Sequence, residues 1–409
     1  MTSNFIKRYF RIINKGNLYN LATNQQGFLC SLSHQWFNGL GPCTNSLHSI
    51  NYLHIASFTT KNAGDTLLPI VLRDLITQNI PEVTWSAKHV HDTVTKSMLD
   101  YINTHKALFL GGGGLFLGDT NANNLSGWQW PISEDRICQI TCPIVVFAVG
   151  FNKFRGQAEF SSNFRRTINA LVRKSVFIGL RNNGSISDLN EYLDSDLQSK
   201  IAFQPCMTTL VKKIYPSLFV NQFIPDEPIV VLNCAFDRSK NRYGEHKEEI
   251  LKSISAAMAS LSKHVKIVYY SHTRQDNEIL PYLHSQNFWF DHVDLFDKPP
   301  SFVLDAYKNV NIVIGMRGHS QMIPFGCNVP IISLVSHNKL RWFLDDVGMS
   351  SSAIETSSTN LQEQIVAKTY ELLHGQDFAR HLISERISEL HRVTIGNISR
   401  IKALLSVVG

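Results

Sequence analysis

The sequence predicts an α/β protein with two domains, each built on a parallel sheet that has helices on both faces. Two series of short apolar, β-branched runs alternate with amphipathic helical patterns, and a proline-interrupted stretch at residues 212–228 separates them. The chain has 409 residues, which is more than one hydrophobic core ordinarily holds. Apolar residues make up 44% of it and charged residues only 18%, so two cores can form and a disordered chain is excluded.

The first series begins with a β-rich run at 50–58, which a glycine turn at 62–65 joins to a helical pattern. A strand at 107–110 then runs into four consecutive glycines, which predict a tight turn close to a ligand, with a tight turn that has no ligand as the alternative. The remaining elements of this series are a buried strand at 144–150, a helix at 161–173, a strand at 176–180 and a helix at 186–193.

The second series repeats this alternation, with strands predicted at 229–233, 265–270, 312–315 and 330–335. Two helices follow at 359–374 and 377–406, and the last is long enough to cross back and brace the first domain. We therefore predict five parts: an extension at 1–48, a first domain at 49–211, a linker at 212–228, a second domain at 229–358 and the closing helices at 359–409.

Charge and cysteine usage narrow the classes of function. The net charge is +6, from 39 basic and 33 acidic residues without long basic runs, which gives no reason to expect nucleic acid. Seven scattered cysteines without paired metal-ligand spacing indicate reduced thiols in a cytoplasmic protein and no metal site. The basic, apolar stretch at 4–13 is expected to dock on the body, and the alternative is peripheral contact with the inner face of a membrane.

Basic side chains follow several predicted strands. Arg317, Gly318 and His319 come just after the strand at 312–315, and Lys339 follows the next strand. Because ligands of open α/β sheets bind at the carboxyl ends of the strands, we expect these groups to face one small anion. Arg181 ends a strand of the first domain in the same way. Each such residue alone is more often a surface or salt-bridged group, and weaker candidates of the same kind are Asp237, Arg238 and His272.

The first domain offers groups for a second ligand. Asp65 stands at the start of the first helix, where a carboxylate acts as a general base on a hydroxyl or merely caps the helix. Trp128 and Trp130 lie in a loop rich in amides, which suits a sugar if their rings are exposed, although both tryptophans can equally pack beneath the loop. The glycine run lacks the residues of a P-loop or of a dinucleotide-binding fingerprint.

Four blocks together resemble the polysaccharide pyruvyl transferase family. They are Asn62-Ala63-Gly64-Asp65, Gly111-Gly112-Gly113-Gly114-Leu115, Arg181-Asn182-Asn183-Gly184-Ser185, and Arg317-Gly318-His319 with Gly326, Pro330 and Lys339. They follow the family's order between about residues 50 and 345. Gly318 departs from the pattern, since the family usually has an apolar residue between the arginine and the histidine.

The resemblance implies a glycosyltransferase-B-like fold, with two Rossmann-like domains facing across a cleft and a C-terminal crossover helix. It implies that phosphoenolpyruvate, without a cofactor, donates a pyruvyl group to two hydroxyls of a sugar in a glycan or lipid-linked saccharide. A pyruvate ketal forms and phosphate leaves. Two alternatives stay open: a nucleotide-sugar glycosyltransferase of the same fold, and a non-catalytic glycan-binding protein.

The resemblance also assigns residues. The second domain is the donor side, where phosphoenolpyruvate is expected to contact Arg181, Arg317, Gly318, His319 and Lys339. The first domain is the acceptor side, where the expected residues are Asn62, Asp65, Gly112, Gly113, Trp128 and Trp130. Catalysis is expected from Arg181 and Arg317 as anion clamps, His319 as general acid and Asp65 as base.

Overall fold

The computed structural model of the protein describes residues 50–408, and the extension predicted at 1–48, including the stretch at 4–13, lies outside them. Two six-stranded sheets form the framework, and every strand pairing in them is parallel. The inner strands of each sheet are buried on both faces because helices cover each side, so they appear in the sequence as continuous apolar runs, whereas the edge strands are partly exposed.

The first sheet has the strand order β2-β1-β3-β4-β5-β6. Its strands are β1 (Ile50–Ala56), β2 (Val83–His89), β3 (Ala107–Phe116), β4 (Ile144–Phe151), β5 (Ser175–Leu180) and β6 (Ile201–Phe203). The helices of this part are α1 (Ala63–Asn79), α2 (Lys96–Ile102), α3 (Glu134–Cys138), α4 (Ser162–Lys174), α5 (Asn183–Asn190) and α6 (Ser195–Gln198).

The second sheet has the order β12-β11-β10-β7-β8-β9. Its strands are β7 (Ile229–Asn233), β8 (Lys266–Ser271), β9 (Asp291–Asp294), β10 (Ile312–Gly315), β11 (Ile331–Val335) and β12 (Ala353–Glu355). After the short helix α7 (Val211–Ile214), the helices are α8 (Ser239–Tyr243), α9 (Lys247–Leu261), α10 (Leu280–His284), α11 (Pro300–Lys308), α12 (His319–Gly326), α13 (Asn338–Asp346), α14 (Leu361–His374) and α15 (Gln376–Val408).

Each sheet has a point where the chain reverses its direction of strand addition, between β1 and β3 and between β7 and β10. Such a switch point opens a crevice at the carboxyl ends of the strands, where ligands bind in open α/β sheets. Asp65 follows β1, and Arg317 and His319 follow β10. The fold therefore places the residues singled out in the sequence at these two crevices.

The glycine run does not form the turn that the sequence predicts. Residues 111–114 continue strand β3, where Gly112 and Gly113 adopt positive φ angles of 79° and 92°. The pairing register between β3 and β4 shifts just after Gly113, so the glycines form an irregularity inside a strand. A side chain at Gly111 would collide with the backbone oxygen of Phe147 on the neighbouring strand, which explains why the position is bare.

The long helix α15 ties the two domains together, as predicted. Near its start, Arg380 donates hydrogen bonds to the backbone oxygens of Asn328 and Val310 in the second domain. Near its end, Asn397 donates to the backbone oxygen of Phe203 in β6, at 2.9 Å. Ile401 is fully buried there. The crossover fixes the relative position of the domains at a second place besides the connecting chain.

The connection between the sheets is itself part of the core. The chain from Cys206 to Phe219 forms short helical turns whose apolar side chains pack with α1, α12 and α15 in one cluster that spans both domains. Gly326 at the end of α12 lies so close to this segment that a side chain there would overlap the backbone oxygen of Thr208. The domains thus contact each other through backbone packed on backbone.

Gly326→Ala should destabilise the protein by about 1–3 kcal/mol, because the added methyl group has no room beside Thr208. Gly396→Ala is the matched control, since its added methyl group meets nothing within 4 Å inside α15 and should stabilise by roughly 0.5–1 kcal/mol. Urea unfolding of both variants measures the two changes in free energy of unfolding. Equal effects of the two substitutions would contradict this packing.

Candidate active site

The two crevices meet across a narrow cleft. The imidazole of His319, at the start of α12, lies directly on Gly64 in the first turn of α1, where any side chain would overlap the ring. The backbone N–H of Ala63 donates to the backbone oxygen of His272 from the other domain, at 3.1 Å. Groups from both sheets therefore form the walls of one site.

Arg181 is a buried cation with no bonded carboxylate in the described part of the chain. It is 5% exposed, and its Nε has no hydrogen-bond partner among the residues that the structure describes. Among residues 50–408 its guanidinium donates one weak hydrogen bond, from Nη2 to Asn152 Oδ1 at 3.4 Å, and no carboxylate lies within 4 Å of it. Burial lowers the pKa of its guanidinium. Because burying an unpaired charge costs several kcal/mol of folding free energy, this arrangement indicates a binding site for an anion.

Lys339 is a second cation of this kind, in the first turn of α13. Its Nζ lies over the ring of Phe154, 5.4 Å from the ring centre. Burial and the nearby guanidinium groups of Arg181 and Arg242 hold the pKa of Lys339 well below its ordinary value, although Asp237 opposes them. Placing positive groups this close together without a bonded carboxylate is unfavourable until a negative ligand arrives.

Arg317 differs from these two cations, because its guanidinium is already paired. Its Nε donates to Asp276 Oδ2 at 2.8 Å, and its Nη1 lies 2.9 Å from Asp237 Oδ1. Its Nη2 donates to Thr273 Oγ1 at 3.0 Å. Two carboxylates therefore occupy the guanidinium fork in the ligand-free protein, and a direct contact of Arg317 with the donor stays a prediction.

The three weaker candidates also serve the framework. Asp237 accepts from Arg242, and although burial alone would raise its pKa, Arg317 and Arg242 hold that pKa well below its usual range. Arg238 crosses the cleft to Asp119, with 2.6 Å between Nε and Oδ2. His272 is fully buried, and its Nε2 lies 2.6 Å from the hydroxyl of Tyr307. These residues hold the two sides of the site in place.

Asp65 combines access with an altered acidity. Burial raises the pKa of its carboxyl group to about 6, although Arg317, Arg181 and Lys339 each act to lower it. Its carboxylate makes no hydrogen bond with any residue that the structure describes. A partly buried, unengaged carboxylate of this acidity is suited to proton transfer near neutral pH.

His319 faces the same space, with its Nε2 3.9 Å from the sulfur of Cys206. Burial holds the pKa of His319 well below its ordinary value, and the charges of Arg181, His272, Lys339 and Arg317 lower it further. In the ligand-free protein its ring is therefore neutral at pH 7. A bound anion would offset those charges and favour protonation of the ring.

The predicted acceptor residues are only partly brought together. Asn62 caps α1 by accepting from the N–H of Gly64 at 3.0 Å, and Gly113 lies beside Asp65. Trp128 and Trp130 are both fully buried in the core beside Phe116. The expectation that these rings are exposed to a sugar is wrong, because the loop turns them inward and the alternative of packing beneath it applies.

Three residues of the site escaped the sequence reasoning: Phe154, Arg242 and His337. Phe154 extends from the end of β4 across the cleft and stacks on His337, with 4.0 Å between the ring centres. Arg242 is 5% exposed and bonded to Ser336 and Asp237. Only His337 carried a signal in the sequence, since it directly follows a buried strand and precedes a helix, as Arg181 does.

A search against protein-family models matches residues 62–338 to the polysaccharide pyruvyl transferases. The matched region covers most of the chain and includes Asp65, Arg181, His319 and the glycine run. The chain belongs to the polysaccharide pyruvyl transferase family. The resemblance inferred from the four sequence blocks is thereby confirmed, and the protein is a transferase of that family. A search of curated protein sequences finds no significant match.

Solved structures confirm a glycosyltransferase-B-like fold. HepE from Anabaena, solved with UDP and glucose, superposes with a TM-score of 0.52 at 10% identity and covers 87% of this chain and 99% of its own. MnaA from S. aureus, solved with UDP, gives a TM-score of 0.51 at 10% identity, covering 82% and 91%. The UDP-GlcNAc 2-epimerase from Neisseria meningitidis gives 0.50 at 13% identity, covering 88% and 100%. At these identities the likeness concerns the fold alone.

The two arginines should respond oppositely to removal. Arg317→Ala leaves Asp276, which is fully buried, without its main partner and should destabilise the protein by about 3–5 kcal/mol. Arg181→Ala removes an uncompensated buried cation, so stability should stay the same or rise. Thermal and urea unfolding without ligand measure both changes. A large loss of stability in Arg181→Ala would show that this residue is structural.

Proposed function

We propose that this protein transfers the pyruvyl group of phosphoenolpyruvate to two hydroxyls of one sugar residue in a cell-surface glycan or its precursor. The product is a pyruvate ketal, and phosphate is released. The observation that carries the proposal is a pair of buried cations, Arg181 and Lys339, that have no bonded carboxylate among the described residues and that act on the titratable groups Asp65 and His319. A donor with a phosphate and a carboxylate supplies the negative charges that this pair lacks.

The reaction needs one proton at carbon and two carbon–oxygen bonds. A general acid protonates the methylene carbon of the donor, and one sugar hydroxyl attacks the cationic C2 that forms. The bond from C2 to the phosphate oxygen then breaks, and the second hydroxyl attacks C2 to close the ketal. The two hydroxyl protons balance the proton added to carbon and the proton carried away on hydrogen phosphate. Fixed positive charges around the donor favour departure of the phosphate.

His319 is the proposed acid, on condition that the donor is bound. Its ring is neutral in the ligand-free site, and the donor's two anionic groups offset the positive charges of Arg181, Lys339 and Arg317 that act on it. Asp65, on the opposite wall, is the proposed base for a sugar hydroxyl, because its carboxylate makes no hydrogen bond with the described residues and lies at the start of α1. Arg317 contributes indirectly, since it holds the loops that carry Asp237 and Asp276.

The alternative of a nucleotide-sugar glycosyltransferase is less favoured. It requires a free carboxylate in the second domain to bind a ribose, and the sequence offers Asp237 or Asp276. Both are engaged with Arg317, and Asp276 also accepts from the backbone N–H of His272 at 2.9 Å. Neither carboxylate is left for a ribose hydroxyl.

No helix within residues 50–408 has the length and apolar character needed to cross a bilayer. We propose that the protein lies in the cytoplasm. It would bind its acceptor at the inner face of the membrane, where lipid-linked saccharides are assembled. The stretch at 4–13 that would make this contact lies outside the described residues.

Phosphate release tests the function directly. The wild-type protein should release inorganic phosphate from phosphoenolpyruvate only when a galactoside or mannosamine acceptor is present. His319→Ala should lower that rate by at least about 100-fold, because the proton donor is lost, while donor binding persists in part. An active alanine variant would exclude the role of His319.

The same assay separates the alternative functions. Release of UDP from a nucleotide sugar would favour a nucleotide-sugar glycosyltransferase, and binding of the acceptor without turnover would favour a glycan-binding protein.

The acidity of Asp65 predicts a pH dependence. A base must be deprotonated, so kcat/KM for the acceptor should fall about tenfold per pH unit below the pKa of about 6 and level off above it. Asp65→Asn should remove most activity and abolish this limb of the profile. Asp188→Asn, in helix α5, is the matched control, because the charges that act on Asp188 are those of Glu191 and Lys153, and it should leave the limb in place. A profile unchanged in Asp65→Asn would assign the base to another group.

A further inference from the structure

The start of helix α13 carries a histidine that the proposed mechanism does not use. His337 is the residue that precedes the helix, and it is fully buried. Within residues 50–408, neither of its ring nitrogens has a hydrogen-bond partner, and its side chain does not cap the helix. A buried imidazole without any partner is costly, so the observation calls for a ligand that supplies one.

The positive groups around His337 indicate that the ligand is an anion. Burial holds the pKa of His337 well below its ordinary value, and the positive charges of Lys339, Arg242, Arg181 and Arg155 lower it further. The helix itself spans nine residues, with no acidic residue in its first turn. The free N–H groups at such a helix start, together with the positive end of the helix dipole, attract negative oxygen atoms.

Phe154 closes this pocket from the opposite domain. Its ring is 2% exposed and stacks on the His337 ring at an interplanar angle of 21°. The guanidinium groups of Arg238 and Arg242 lie 4.9 Å and 5.1 Å from its centre. The ring excludes water from the start of α13, and in a water-poor pocket the attraction between an anion and these cations is strong.

We propose that the start of α13 is the phosphate subsite of the donor, with the phosphate hydrogen-bonded by His337 and charge-paired with Lys339, while the carboxylate of the donor lies on Arg181. This orientation rests on the proposed function. It places the enol carbons between the two cations. Asp65 lies beside Gly113 and Arg181 beside Gly114, while the His319 ring lies on Gly64, the residue before Asp65, so the proposed acid and base lie close to Arg181. Phosphate would then leave toward α13 and away from the acceptor.

Inorganic phosphate and pyruvate test the two halves of this assignment separately, because each carries one of the donor's anionic groups. Titration calorimetry on the full chain should show that His337→Asn weakens phosphate binding about tenfold or more and leaves pyruvate binding within about twofold. Arg181→Met should show the opposite selectivity. His105→Asn is the control for loss of a buried histidine, because His105 precedes β3 at the other end of the first sheet and is 6% exposed.

Three results would overturn the subsite: no binding of phosphate by the wild-type protein, an equal effect of His337→Asn on both probes, or a loss of phosphate binding confined to Arg181→Met. If His337→Asn does not fold, NMR titration of the wild-type histidines replaces it. The His337 signal should then shift to a higher pKa on addition of phosphate and not of pyruvate, and the absence of that shift would equally overturn the assignment.

The outcome is separable from that of the proposed function. If the protein binds phosphate in a way that depends on His337 and yet releases no phosphate from phosphoenolpyruvate, that result would support the phosphate subsite and contradict the proposed function. Normal turnover together with phosphate binding that ignores His337 would keep the function and remove the subsite.

Discussion

The buried positive charges of the site differ in whether a carboxylate is bonded to them, and the rest of the site depends on this difference. Arg317 is matched by Asp237 and Asp276 and acts as a fixed part of the framework. Arg181 and Lys339 have no bonded carboxylate among the described residues, although Asp65 acts on Arg181 and Asp237 on Lys339 from farther away, and each has a pKa lowered by burial. Since a protein gains no stability from unpaired buried cations, their retention is best understood as preparation for a dianionic or trianionic substrate.

This charge arrangement requires that the two domains be held close together. Arg181 belongs to the first sheet and Lys339 to the second, so neither domain alone contains the site. Contacts across the cleft hold them in register: Arg155 pairs with Glu355 at 3.0 Å, and Asn183 donates to Asp346 at 2.8 Å. The buried segment between the sheets and helix α15 add a rigid base. Entry of a glycan therefore requires movement at the cleft while this base stays fixed.

Sequence reasoning predicted the alternation of strands and helices, the crossover helix and the strand-end positions of Arg181, His319 and Asp65, because periodicity and parallel-sheet topology determine these features. It could not predict that the guanidinium of Arg317 is paired with a carboxylate. The partner, Asp276, is 41 positions away in the sequence, and only the fold brings the two side chains together.

Two sequence-based predictions are wrong because of tertiary packing. The glycine run continues a strand rather than turning, because Gly111, Gly113 and Phe116 still pair with strand β4. The tryptophans of the 123–130 loop are buried because an apolar core lies directly beneath it. The stacking of Phe154 on His337 joins two domains, and no local pattern in either segment indicates it.

Transfer of isotopic label tests the central claim most directly. The protein is incubated with phosphoenolpyruvate carrying carbon-13 at C2 and with a glycan acceptor, and the product is examined by NMR. The account predicts that the label appears in the glycan as a carbon bonded to two sugar oxygens and a methyl group, with one phosphate released per ketal. Label that stays in phosphoenolpyruvate, or enters the glycan as an enol ether on one oxygen, would contradict it.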